Sequence, residues 1–190
     1  QAPAPTFANF VHGGNAELFH ALASALRGEL AERVMYVWGE SGAGKSHLAR
    51  AFEGAVRERG LQGFRAVDDV ERLDAAAQAA LFNDFNERAF AFLLVTAGSA
   101  PRDVPIRRDL ATRLATGLTY RVLPLTDEEK RTALAAHAHT RGFALSEDVT
   151  SYLLTHARRD MGSLMAALDT LDRYSIETGR PITVPLLKAA

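Results

Sequence analysis

Gly39-Glu40-Ser41-Gly42-Ala43-Gly44-Lys45-Ser46 has the form G-x-x-x-x-G-K-S. Before it stands an apolar run, Val34-Met35-Tyr36-Val37-Trp38, that reads as a buried strand. After it, His47 to Val56 has helical periodicity, and the helix is expected to end near Gly60. Strand, glycine-rich loop and helix in that order form a phosphate cradle. The loop's N–H groups point at phosphate oxygens, and the helix N-terminus adds partial positive charge. Lys45 is expected to reach the β- and γ-phosphates, and Ser46 to hold Mg²⁺. A nucleotide's phosphate chain with Mg²⁺ is therefore the expected ligand.

The 190 residues are enough for one domain plus a small appendage. Hydrophobic content of 47% with 24% charged residues is that of a globular protein. A net charge of −1 gives no overall pull toward nucleic acid or membrane. Without cysteine there is neither a disulfide nor thiol chemistry, which fits a cytoplasmic location. No run reaches the length of a membrane-spanning helix. Gln1 to Pro5 has no signal-peptide character and reads as an extended lead.

Outward from the cradle, Asn15 to Ala31 carries Leu18, Phe19, Leu22, Leu26 and Leu30 at helical spacing, with Asn15 as N-cap. Phe64 to Asp69 reads as a strand ending in two carboxylates. Asp74 to Ala89 reads as a helix, and Phe90 to Thr96 as a strand buried on both faces of a parallel sheet. Ile106 to Leu114 is a short helix or turn, and Leu118 to Val122 a last strand. From Thr126 only helices are expected. The first opens on the capping box Thr126-Asp127-Glu128-Glu129 and stops at Gly142. Ser146 caps a second, Asp160 a third that stops at Gly179, and a short segment follows Pro181. The fold class is thus α/β: a parallel sheet flanked by helices over residues 1–124, followed by a small all-α lid over 125–190.

Phosphate chemistry needs a carboxylate beside the cradle. Asp68 is expected to coordinate Mg²⁺ through water, and Asp69 to orient an attacking water. Arg113, in Asp109-Leu110-Ala111-Thr112-Arg113-Leu114, is a candidate to stabilise γ-phosphate charge on a neighbouring molecule. The six histidines have no metal spacing. His137 and His139 are expected at the surface, His47 as a support of the loop, and Trp38 in the core.

Together these stretches resemble the DnaA branch of the AAA+ ATPases. Thr6-Phe7-Ala8-Asn9-Phe10-Val11-His12-Gly13-Gly14-Asn15 is similar to that branch's T-F-x-N-F-V-x-G-x-x-N box, which implies that Phe10 and Val11 contact the adenine side. The cradle followed by His47-Leu48 resembles the branch's G-K-S-H-L form, so the nucleotide-binding stretch extends to His47. Asp68-Asp69 matches its acidic pair, and the Asp109–Leu114 segment its arginine-finger box. The lid is more similar to that of the Hda-type regulators, which inactivate the replication initiator. That resemblance implies a regulator of replication initiation that stimulates ATP hydrolysis by DnaA, acting with the DNA polymerase sliding clamp. The clamp-binding motif is expected upstream of Gln1, and a homodimer is compatible. The chain stops at Ala190 without a helix-turn-helix, so sequence-specific DNA binding is not expected.

The sequence departs from the family in several places. Only 22 residues separate Lys45 from Asp68, where the family fits another strand and helix; the Asp68 strand is then expected at an open sheet edge. The γ-phosphate sensor after Phe92–Thr96 falls on Gly98, with Thr96 and Ser99 as the nearest polar substitutes. The sensor arginine of the lid falls on Gly162, with Arg158 and Arg159 as neighbours. With the resemblance, the intact cradle and missing sensors imply binding of ADP or ATP with Mg²⁺ and weak or no intrinsic hydrolysis. Two other readings share these motifs: a helicase-loader-type ATPase, and a nucleotide-dependent adaptor without a catalytic part.

Overall fold

The computed structural model describes residues 6–8, 10–157 and 160–189. The lead at 1–5, Asn9, Arg158 and Arg159 lie outside the described residues. The chain divides between Pro124 and Leu125 into two compact units.

The first unit holds a four-stranded parallel sheet. Its strands are β1 (Val34–Trp38), β2 (Phe64–Val67), β3 (Phe92–Ala97) and β4 (Leu118–Arg121), in the order β2-β3-β1-β4. Every residue of β3 is buried, as an apolar central strand requires. Val34 lies opposite Leu93, and Met35 opposite both Leu94 and Leu118. β2 pairs with β3 alone, so it is an edge.

Side-chain alternation sorts the helices. Met35, Val37, Phe92 and Leu94 face α1 (Ala16–Leu26) and α2 (Lys45–Glu58), meeting Leu18, Leu22, Leu48 and Phe52. Val34, Tyr36, Leu93 and Val95 face α3 (Ala75–Asn86) and α4 (Arg108–Leu114), meeting Leu81, Leu110 and Leu114.

α1 is shorter than its periodicity over 15–31 suggests. Gly28 adopts φ +71, and the N–H groups of Gly28 and Glu29 turn back onto Ala25 and Ser24 carbonyls. Leu30 still packs on the core from the loop beyond. Asn15 stands at the N-cap position, but its side chain does not cap the helix. Its Nδ2 donates to Leu123 O at 3.0 Å and its Oδ1 accepts from Leu123 N–H at 2.7 Å. Long-range pairing to the chain after β4 takes precedence over the local bond. Trp38, expected in the core, is half-buried, with the Arg121 guanidinium 5.2 Å from its ring centroid.

The second unit comprises α5 (Asp127–Thr140), α6 (Glu147–His156), α7 (Met161–Thr178) and α8 (Val184–Ala189). Leu134, Leu153, Leu164 and Leu168 form its core. The Thr126–Glu129 capping box is closed from both sides, and Ser146 and Asp160 cap α6 and α7. Gly142 and Gly179 stop α5 and α7 at φ +87 and +65. His137 departs from its expected surface position. It is half-buried, and its Nε2 lies 2.7 Å from Asp169 Oδ1, where Arg141 also binds. Among the described residues, no helix is long and apolar enough to cross a membrane.

Candidate functional site

The cradle forms where β1 ends. Gly39 N–H donates to Ala97 O at 3.2 Å, which ties the loop's first residue to the end of β3. Gly42 and Gly44 adopt φ +80 and +100, the left-handed region that glycine enters without steric cost. At Gly42 a Cβ would meet none of the described residues within 4 Å, so the crest of the loop is open to them. Gly44 caps α2 from the left-handed conformation, which leaves the helix's first N–H groups without a side-chain cap. Glu40, Ser41, Ala43 and Ser46 complete the loop. Ser41 is exposed, and Ser46 is the second residue of α2.

Lys45 is buried, and its Nζ donates to Gly39 O at 2.7 Å and Glu40 O at 2.8 Å. Two of the ammonium's three protons are thus held by the loop's own carbonyls, which fixes the charge inside the cradle. The sequence-predicted Phe10 lies on this loop. A Cβ at Gly44 would come within 2.9 Å of Phe10 Cζ, so only glycine admits the ring there. Phe10 also packs at 4.8 Å on Phe19 and 5.1 Å on His47. Val11 follows it, half-buried. His47 Nε2 lies 3.3 Å from Thr6 O, and burial holds its pKa below the ordinary value against that bond. His47 thus braces the segment with Phe10 as a neutral ring.

Asp68 and Asp69 follow directly on β2, whose last residue, Val67, pairs with Val95. Asp68 Oδ1 accepts from Thr96 Oγ1 at 2.6 Å. Asp69 has φ 51 and ψ 64 and opens a 3-10 turn over Val70–Arg72. Its carboxylate is 3.9 Å from Arg72. The donor set of Ser46 hydroxyl and Asp68 carboxylate is hard oxygen, which suits Mg²⁺. Open crest, buried cation and hard donors fit a Mg²⁺-bound phosphate chain.

Gly98 has a neighbour that the sequence reading missed. Its N–H donates to Glu71 Oε1 at 2.6 Å, and a Cβ at Gly98 would meet that oxygen at 3.0 Å. Glu71 Oε2 is buried without a hydrogen-bond partner among the described residues. Burial pushes the Tyr36 phenol's pKa up, with the Glu71 charge adding to it. The signal was present as Asp68-Asp69-Val70-Glu71, three residues apart across one 3-10 turn. Of the two polar substitutes, Thr96 is spent on the acidic pair, and Ser99 uses its carbonyl to accept from Tyr36 OH at 2.8 Å. In the lid, a Cβ at Gly162 would meet, among the described residues, only Asp160 Oδ1, at 3.5 Å.

Arg113 lies apart from the cradle. It is exposed on α4, across the sheet from α2, with its guanidinium 6.0 Å from the Phe85 ring centroid. α4 leads into β4, whose Leu118 pairs with Met35 near the start of β1. The cradle follows the far end of β1, roughly 13 Å from Met35 at four residues of parallel strand. Arg107 is unlike Arg113, being held by Asp109 at 2.6 Å, a bond that draws the Asp109 pKa below its usual value.

Residues 127–190 match the family model described as the Hda lid domain. The whole chain is similar in fold to domain III of the replication initiation protein DnaA of Thermotoga maritima, with TM-score 0.78 at 20% identity over 97% of this chain and 94% of that one. AMPPCP-bound DnaA from Aquifex aeolicus matches with TM-score 0.75 at 18% identity, over 92% of this chain and 67% of that one. The RuvB Holliday junction branch migration motor of Thermotoga maritima matches with TM-score 0.68 at 14% identity, over 97% and 70%.

Proposed function

We propose that this chain, whose residues 127–190 match the Hda lid domain model and whose fold is similar to that of DnaA domain III, is an Hda-like, DnaA-related AAA+ protein that regulates replication initiation by supplying an arginine to the ATP held by DnaA. It binds ADP or ATP at Gly39–Ser46, with Phe10, Val11 and His47 on the base side. Lys45 exchanges its two loop carbonyls for phosphate oxygens. Ser46 and Asp68 hold Mg²⁺, which neutralises phosphate charge when bound. Its own hydrolysis is weak, because Gly98 and Gly162 stand at the sequence positions where the resemblance expects γ-phosphate sensors, although Asp69 is retained.

The observation that carries this reading is the separation of Arg113 from the chain's own cradle. An exposed guanidinium on the face of the sheet opposite α2 serves a phosphate on another molecule. An arginine supplied in trans contributes about 10³–10⁵ in rate in GTPase systems. Tethering by the sliding clamp raises the effective concentration of this arginine near DnaA without new direct contacts.

The test measures ATP hydrolysis by DnaA with DNA-loaded clamp and the full-length protein. Arg113→Ala is expected to bind ADP as the wild type does and to lose the stimulation. A variant that stimulates as well as the wild type overturns the role of Arg113 and favours an adaptor without a catalytic part.

A further inference from the structure

Thr96 is fully buried at the end of β3, yet its hydroxyl serves two groups beyond the strand. Oγ1 accepts the Asp69 N–H at 2.8 Å and donates to Asp68 Oδ1 at 2.6 Å. With one proton to give, the hydroxyl's direction is fixed: the Asp69 N–H meets its lone pair, and its proton goes to the carboxylate. One oxygen of Asp68 is thereby anchored. Asp68 is exposed, and its Oδ2 has no protein partner among the described residues, so that oxygen is open to solvent or to a ligand.

The clasp stands where the sheet offers no other support. β2 is an edge strand paired only with β3, and its regular structure ends at Val67, one residue before Asp68. Asp69 leaves in the left-handed conformation, with Arg72 N–H bonded to its carbonyl at 2.8 Å. Without Thr96, nothing from β3 holds the Asp68 carboxylate or the Asp69 N–H. The bond from Gly98 to Glu71 fixes the far end of the turn but reaches neither aspartate.

We propose that Thr96 is the positioning residue of the acidic pair: it orients Asp68 for Mg²⁺ and sets the turn that carries Asp69. The inference rests on the nucleotide-site reading. A threonine that only fills a buried place in β3 would act on stability and not on the metal. Groups that hydrogen-bond a metal ligand typically contribute about 10–100-fold to metal affinity.

The experiment titrates the full-length protein with ADP over a series of Mg²⁺ concentrations and in EDTA, by calorimetry. Thr96→Val keeps the volume and removes the hydroxyl; Thr96→Ser keeps the hydroxyl. Thr96→Val is expected to need at least about 10-fold more Mg²⁺ for half of the metal-dependent gain, with ADP binding in EDTA unchanged. Thr96→Ser is expected to follow the wild type. In an Asp68→Asn background, Thr96→Val is expected to add nothing, because it acts through that carboxylate. Should the valine variant fail to fold, Thr96→Ala carries the same comparison. Wild-type Mg²⁺ dependence in the hydroxyl-free variant overturns the proposal, as does a penalty that persists without Asp68. Absence of ADP binding by the wild type overturns the nucleotide-site reading itself, and this inference with it.

Discussion

Asp69 shows how much a single backbone conformation asks of the sequence. Its left-handed φ and ψ are costly for most residues, and aspartate and asparagine are among the few that enter this region readily. Asp69→Asn is therefore expected to leave stability within about 0.5 kcal/mol, since the pair with Arg72 at 3.9 Å is too long and exposed to contribute much. Asp69→Val is expected to lose about 1–2 kcal/mol at the same position. Urea denaturation of the three proteins measures the difference. At this scale the positions of the candidate residues were legible: Lys45, Ser46, Asp68 and Asp69 stand beside the glycines and the strand end, as their local sequence suggests. Glu71 and Thr96 were not given their roles. Their partners, Gly98 and Asp68, are 27 and 28 positions away, and no local pattern encodes such a pairing.

The elements followed the same division. Capping boxes, apolar periodicity and stop glycines predicted the lid helices, because all their determinants lie within a few residues. Asn15 was misread because a buried amide satisfied itself on Leu123, 108 positions away. His137 was misread for the same reason: its partner is on α7. Burial raises the Asp169 pKa, but the bonds from His137 and Arg141 outweigh it and hold this carboxylate below its ordinary value. A carboxylate lowered in the fold contributes stability above its unfolded pKa of about 3.9 and loses it as pH falls through the folded value. Asp169→Asn is thus expected to destabilise the lid at neutral pH. The gap from the wild type is expected to close as pH falls below about 4. Circular dichroism of thermal unfolding along a pH series measures that gap.

Across the molecule, the apolar side chains gather into separate clusters, one on each face of the sheet and one in the lid. A ligand confined to the cradle stabilises the unit that contains it. Mg²⁺-ADP at about 100 times its Kd adds about 2.7 kcal/mol, which is expected to raise the core's thermal transition by several degrees. Lys45→Ala is expected to abolish the shift, as scanning calorimetry with and without ADP would show. The short connection between α2 and β2 has a further consequence. Gly60 and Gly63 both turn through positive φ there, and the strand they lead to has no second neighbouring strand among the described residues. Arg65, paired with Asp84 at 2.6 Å, puts charge along that margin and discourages strands of other molecules from annealing to it. The junction is thus a splice point: extra chain inserted at residues 60–63 can be received by the free margin of the sheet.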